Sequence, residues 1–272
     1  MPTPLDALSG EYLRSLFGDH PSAIRLLDEV VAFYGETLMV RRAQVGDDSS
    51  GYGIAVDAPN LKYDHAYLNL NTSTNRVPAA ACHELLHLRL AARGLPKVRT
   101  LELQPEQAVD TGFINAAVNT VINAVEHNIF KDDFVSMGFP IESFLAKTGY
   151  VPDYENEAKN FPSNGRPPQL LFFDWVWWSR EYISNYFGIG QGVENAEFLA
   201  DSAEKWGTVV LPGFRQTVVL IRQWARIGLY QLAAKYPEAI RQLFEIIHMP
   251  PISSFYSFKR DQTGQIIVEL IT

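Results

Sequence analysis

The chain is poor in cysteine and has no long apolar run. Both features limit the classes of protein to which it can belong. Cys82 is the only cysteine in 272 residues, so no disulfide can form within the chain. No stretch approaches the roughly 18 consecutive apolar residues that a membrane helix needs. The segment Met1–Asp6 has no basic region followed by an apolar core, as a secretory signal would have. These absences predict a cytoplasmic protein without a membrane span.

Basic charge is also scarce. Lys and Arg number 23 against 31 Asp and Glu, which gives a net charge of −8, and no basic cluster offsets it locally. Nucleic-acid binding depends on cations that neutralise phosphates, so we expect no nucleic-acid partner. A hydrophobic content of 47% with 20% charged residues is ordinary for a globular protein, and a chain of this length can bury a large core.

Apolar periodicity and turn residues predict an α+β fold. A helix is expected from Pro21 to Tyr34, ended by Gly35, followed by three strand-like segments at 38–45, 52–56 and 65–72. Helices are then expected from Pro78 to about Arg93, and at 106–133, 170–187, 194–206, 214–235 and 237–247, with a terminal strand at 265–271. The loop-like segment 150–168 suggests two domains, 1–150 with a small, mainly antiparallel sheet and 151–272 with mostly helices.

The most informative motif is H-E-x-x-H, formed by His83, Glu84 and His87. Residues four apart lie about 40° apart around a helix, so the two imidazoles can reach one metal ion from consecutive turns. Glu84 stands beside them as a base for a water molecule, which is the pattern of zinc metallopeptidases. The flanks of the motif are apolar, which predicts a buried helix whose polar groups need a partner such as a metal. We therefore predict one Zn²⁺ per chain.

A catalytic zinc usually has a third protein ligand. The seven residues after His87 contain no further histidine, so the ligand is sought on the helix at 106–133. Four polar residues of that helix fall within about 40° of one line along it: Asn119, Asn123, Glu126 and Asp133. His127 lies at the margin of this stripe, about 80° from Asn119. We expect Glu126 to be the third ligand with His127 as the alternative, and the remaining stripe residues to orient the ligands.

The motif followed by a later glutamate resembles the gluzincin metallopeptidases of the zincin superfamily, over Thr37–Asp133. Asn123 precedes Glu126 at the family's usual distance, whereas Phe130 stands where an acidic residue often follows. The resemblance implies a zincin-like N-terminal part in which Glu84 is the general base. It also implies that a peptide or protein substrate pairs with the strand before the metal helix, the segment His65–Asn71. The alternative is a zincin-fold binding or regulatory protein with weak or no peptidase activity.

Two further expectations concern residues near the motif. A peptidase also stabilises the oxyanion of its transition state, and His65, Tyr67 and Tyr150 are candidates for this role. Cys82 points about 100° away from His83 on the helix, so we expect it to pack as a small apolar residue.

Overall fold

The computed structural model describes residues 10–42, 50–57, 60–71, 76–104, 110–144, 152–161, 168–187, 196–226 and 235–272. The α+β class predicted from the sequence is confirmed: helices and a small sheet are followed by a mostly helical C-terminal half and a small C-terminal sheet. The elements are α1 (Gly10–Leu16), α2 (Pro21–Tyr34), β1 (Leu38–Arg42), β2 (Gly51–Asp57), β3 (Lys62–Leu70), α3 (Val77–Ala92), β4 (Lys97–Leu101), α4 (Thr111–Ser136), α5 (Tyr154–Lys159), α6 (Pro168–Tyr186), α7 (Ala196–Val210), α8 (Phe214–Ala225), α9 (Tyr236–Ile246), β5 (Ile252–Arg260) and β6 (Ile266–Ile271).

The first sheet has the strand order β1-β3-β2 and is mixed rather than mainly antiparallel. β3 is its central strand, parallel to β1 and antiparallel to β2. The expectation that a substrate strand pairs with His65–Asn71 is therefore wrong, because both edges of β3 already carry a neighbouring strand. Strand pairing depends on contacts distant in sequence, and the alternation of β3 did not reveal its neighbours.

The two faces of β3 have different surroundings. Ala66, Leu68 and Leu70 are buried on one face, and Tyr67 on the other face is half-buried. Tyr67 is paired with Gly53 of β2, where an added Cβ atom would lie 2.3 Å from the Tyr67 ring. Glycine is needed at that position because the tyrosine ring lies across the neighbouring strand.

Helix α3 is buried on almost all sides, as its apolar flanks predict. Proline stands in its first turn, and Gly94 follows its end with φ of +84°, a left-handed conformation that favours glycine. The Tyr34 hydroxyl of α2 donates to the Leu88 carbonyl at 3.1 Å, and Arg89 forms an ion pair with Asp133 of α4. These polar contacts accompany the apolar packing that holds α3 in place.

The chain divides into two compact units that interleave in sequence, 1–98 with 130–146 and 254–272, and 99–129 with 147–253. The first contains α3 and the mixed sheet. The second contains helices α5 to α9, in which Tyr154, Trp178 and Tyr182 are buried. Gly207 of α7 allows close packing there, since a Cβ atom would lie 2.6 Å from the Phe214 ring. The expected division into domains near residue 150 stays a prediction.

The C-terminal sheet has the order β4-β5-β6, and β5 pairs antiparallel with β6. Only β6 was predicted from the sequence. Among the described residues, no helix combines the length and the apolar character needed to cross a membrane.

Candidate metal centre

Helix α3 places His83 and His87 side by side in the interior. The two residues are four positions apart, and their ring centroids are separated by 5.1 Å. Their exposed fractions are 7% and 2%, so neither imidazole projects into bulk solvent. The first requirement for a shared metal, two buried imidazoles on consecutive turns, is met.

Helix α4 supplies a third imidazole, that of His127. One ligand atom from each of His83, His87 and His127 can be chosen so that all three atoms lie within 4.8 Å of one another. His127 is 6% exposed, so the whole group is buried. Glu126 is also fully buried but does not belong to this group. The three histidines can hold a metal ion.

The phase of α4 accounts for the position of His127. Phe130 and Phe134, which follow His127 by three and seven residues, pack against His83 with ring centroids 5.5 and 6.4 Å away. Around the helix, the midpoint of Phe130 and Phe134 lies about 40° from His127 and about 60° from Glu126. The helix face that contacts α3 therefore carries His127.

The donor set fits a transition-metal ion. Imidazole nitrogen is a preferred ligand of zinc, copper, iron and nickel, and three protein ligands leave one tetrahedral position open, as in catalytic zinc sites. Zn–N bonds of about 2.0–2.1 Å bring tetrahedral ligand nitrogens to about 3.3 Å from one another. The separation of at most 4.8 Å is close enough for small ring rotations to reach that geometry.

Aromatic rings surround His83 on several sides. The ring centroids of His83 and Phe144 are 4.8 Å apart, and His83 also contacts Phe130 and Phe134. Burial lowers the pKa of His83 well below its usual value, the neighbouring His87 lowers it further, and a hydrogen bond with the Phe144 backbone opposes both effects. His83 is therefore neutral at physiological pH, which is the form that binds metals.

His87 is held between two aromatic side chains. The Tyr52 ring of β2 stacks on it with centroids 4.6 Å apart and an angle of 11° between the planes. Phe130 meets the same imidazole edge-on at 4.7 Å and 84°. The Lys97 ammonium donates to the Tyr52 hydroxyl at 3.2 Å. A strand residue thus contacts one of the three histidines directly.

Glu84 lies next to His83 on α3 and is half-buried. Removal from water raises the pKa of its carboxyl to about 8. Desolvation disfavours the charged form, so the metal-free protein carries Glu84 mostly as the neutral acid at pH 7. A nearby divalent cation would reverse this preference by stabilising the carboxylate.

Cys82, adjacent to His83, packs as the sequence predicted. It is fully buried, and its Sγ lies 3.5 Å from the Met137 Sδ. Burial raises the pKa of the thiol to about 12, with a small opposing effect of Arg89. The thiol is therefore neutral and takes no part in the histidine group.

The other predicted site residues occupy varied positions. On α4, Asn119 is exposed, Asn123 is half-buried, and Asp133 is exposed and paired with Arg89. His65 and Tyr67 are half-buried on β3 and pair with Ala55 and Gly53 of β2. Side chains alternate along a strand, so Tyr52 lies on the opposite face of the sheet from Tyr67. The roles predicted for these five residues stay predictions, and Tyr150 lies outside the described residues.

Several residues of the centre went unnoticed in the sequence. They are Tyr52, Lys97, Phe130, Phe134 and Phe144. The sequence could have indicated Phe130 and Phe134. They follow His127 by three and seven residues, a spacing that places side chains on one face of a helix. Nothing local connects Tyr52 or Lys97 to the H-E-x-x-H motif, because both reach it through tertiary packing.

No protein-family model matches this chain, and comparisons with curated proteins and with solved structures likewise found no match. The function is therefore inferred from the motif and from the geometry of its side chains.

Proposed function

We propose that this protein is a zinc metallopeptidase in which His83, His87 and His127 hold one Zn²⁺ and Glu84 is the general base. The observation that carries the proposal is the convergence of three buried imidazoles with a carboxyl group one residue away. We assign His127 rather than Glu126 as the third ligand. The group of ligand atoms that lie close together contains His127 and not Glu126.

The protonation states of the residues suit metal binding. A bound zinc ion supplies a Lewis acid and lowers the pKa of water that it binds. Three neutral imidazoles leave the full dipositive charge of the ion uncompensated, whereas a glutamate ligand would cancel part of it. The lowered pKa of His83 keeps that ligand free of protons at neutral pH, so binding there requires no proton loss from it.

Glu84 suits the role of a proton acceptor. The carboxyl group has a pKa near 8 in the metal-free protein, and a neighbouring cation favours its ionised form. The carboxylate would then take a proton from the attacking water and deliver it to the departing amine. Its position directly after His83 supports this role, since a base must lie within hydrogen-bond reach of the water.

A peptide substrate would approach along β2 rather than β3. In the described part of the chain, β2 is the terminal strand of its sheet and pairs only with β3. Tyr52 of the same strand stacks on His87. An extended peptide that adds to the outer edge of β2 would thus lie beside the metal centre, with its backbone hydrogen-bonded to the strand.

The second candidate is a metal-binding regulatory protein with weak or no peptidase activity. The burial of the ligands favours it, because all three imidazoles have exposed fractions of 7% or less and aromatic rings pack around His83. A site enclosed to this extent offers little surface to a folded protein substrate.

Hydrolysis of unfolded protein and peptide libraries by the zinc-loaded protein tests the two candidates. The wild type is compared with Glu84→Gln, which keeps the size of the side chain but cannot accept the proton. The proposal predicts cleavage by the wild type, full zinc content in Glu84→Gln, and loss of at least about 100-fold in its rate. Stoichiometric zinc without cleavage that depends on Glu84 supports the regulatory candidate.

A further inference from the structure

We infer that Tyr52 is a positioning residue that fixes the imidazole of His87 for metal binding, and that Lys97 fixes Tyr52. This inference rests on the proposed metal centre. Tyr52 lies on a β-strand, whereas the motif alone places the site residues on helices.

The stacking geometry supports the role of Tyr52. A nearly parallel ring at 4.6 Å covers one face of the imidazole, and the perpendicular Phe130 ring at 4.7 Å restricts it from a second direction. Rotation of the imidazole about its χ2 bond would drive its edge into the tyrosine ring. The two contacts together limit the directions in which the ring nitrogens point, and a metal ion requires one of those directions.

The Tyr52 ring is itself anchored at its far end. Lys97, at the start of β4, donates a hydrogen bond to the hydroxyl at 3.2 Å, and its ammonium lies 5.5 Å from the ring centroid. Tyr52 and Lys97 are both half-buried, so this hydrogen bond is partly shielded from competing water. Lys97, Tyr52 and His87 thus form a chain of contacts that ends on a metal ligand.

The register of the sheet offers a matched control. Tyr67 of β3 is a half-buried tyrosine with a cation next to its ring, since the Arg41 guanidinium lies 4.5 Å from its centroid. Its side chain lies on the face of the sheet opposite Tyr52. The substitution Tyr67→Leu removes a similar ring and a similar cation–π contact without touching His87.

The test measures metal binding directly. Zinc affinity is obtained by competition with a chromophoric chelator, and the coordination geometry by the visible absorption of Co²⁺ in the same site. Side chains that contact and orient metal ligands typically contribute about 10- to 100-fold to metal affinity. We expect Tyr52→Leu to weaken zinc binding at least about 10-fold and to alter the Co²⁺ spectrum. Tyr67→Leu should retain both properties of the wild type.

Conservative variants keep the test valid if Tyr52→Leu does not fold. Tyr52→Phe retains the stacked ring but loses the bond from Lys97, and Lys97→Met loses the same bond from the other side. Because both remove the same hydrogen bond, each should weaken zinc binding by about 2- to 5-fold, and the double variant should bind zinc no more weakly than Lys97→Met, which also removes the ammonium beside the ring.

The outcomes separate this inference from the proposed function. A wild type that binds neither zinc nor Co²⁺ overturns the metal centre and with it the inference. A wild type that binds the metal, with folded Tyr52 variants of unchanged affinity and unchanged Co²⁺ spectrum, overturns the inference alone. Additive losses in the double variant would likewise contradict the role of the Lys97–Tyr52 bond.

Discussion

Phe130 packs edge-on against His87, with ring centroids 4.7 Å apart and an angle of 84° between the planes. This contact sets the rotation of α4 relative to α3, and it accounts for the histidine that joins the H-E-x-x-H pair. His127 lies in the turn of α4 immediately before Phe130, on the side of the helix that Phe134 also occupies. The aromatic packing and the grouping of the three histidines are therefore related through one helix–helix contact.

The first prediction concerns the third ligand. His127→Ala should lower zinc affinity more than Glu126→Ala, because His127 belongs to the group of close ligand atoms and Glu126 does not. We expect a loss beyond the roughly 100-fold that side chains orienting the ligands reach, measured by chelator competition. A larger loss in Glu126→Ala, with His127→Ala close to the wild type, would restore the glutamate as the ligand.

The second prediction concerns protons released on metal binding. Glu84 holds its proton at pH 7 in the metal-free protein because its pKa is about 8, and a bound cation favours its ionisation. At pH 7 the wild type should release about one proton more per zinc than Glu84→Gln. Calorimetry in buffers of different ionisation enthalpy measures this difference. Equal release by the two proteins would mean that Glu84 is already ionised without metal.

The third prediction concerns the pH dependence of stability in the metal-free protein. The pKa of Glu84 is raised from 4.5 to about 8 on folding, so the folded state binds the proton more tightly than the unfolded state. Its contribution to stability is complete below pH 4.5 and is lost as the pH rises toward 8. The free energy of unfolding of Glu84→Gln should therefore rise relative to the wild type, by on the order of 3–4 kcal/mol between pH 5 and pH 8. Denaturant unfolding at pH 5, 6.5 and 8 checks the trend, and a constant difference contradicts it.

The fourth prediction concerns the Cys82 thiol. Full burial and a pKa of about 12 leave almost no thiolate in the folded protein. The native protein should react with a disulfide reagent at least about 100-fold more slowly than the denatured protein, measured at pH 8 by absorbance. Cys82→Ala provides the blank, since it has no other thiol to react. Rapid labelling of the native wild type would show that α3 opens readily.

Much of the framework could be predicted because its signals are local. Helix α2 was placed at its observed limits by its apolar periodicity and by Gly35, and Gly94 marked the end of α3. The pair His83 and His87 was evident from spacing alone. Strand β4 was missed because its partner β5 lies about 150 residues away and short apolar runs are ambiguous without a partner. Strand β5 was also missed, although its pairing with the adjacent β6 is local.

The rest of the centre depends on tertiary packing. Part of the polar stripe of α4 reaches α3, since Asp133 pairs with Arg89 of that helix, whereas Asn119 is exposed. Phe130, within the same stripe at about 20° from Asn119, and Phe134, at about 60°, contact His83. The face that contacts His83 is therefore centred about 40° from Asn119, nearer to His127 than to Glu126, and tertiary packing rather than any local pattern sets this rotation.

The most direct test of the metal centre is X-ray absorption at the zinc edge of the loaded protein, with His127→Ala as the comparison. We predict one zinc per chain in the wild type, with nitrogen and oxygen neighbours at about 2.0–2.1 Å and the multiple scattering of three imidazoles, falling to two in the variant. Absence of stoichiometric zinc, or a wild-type spectrum with two imidazoles that His127→Ala leaves unchanged, would contradict the three-histidine centre.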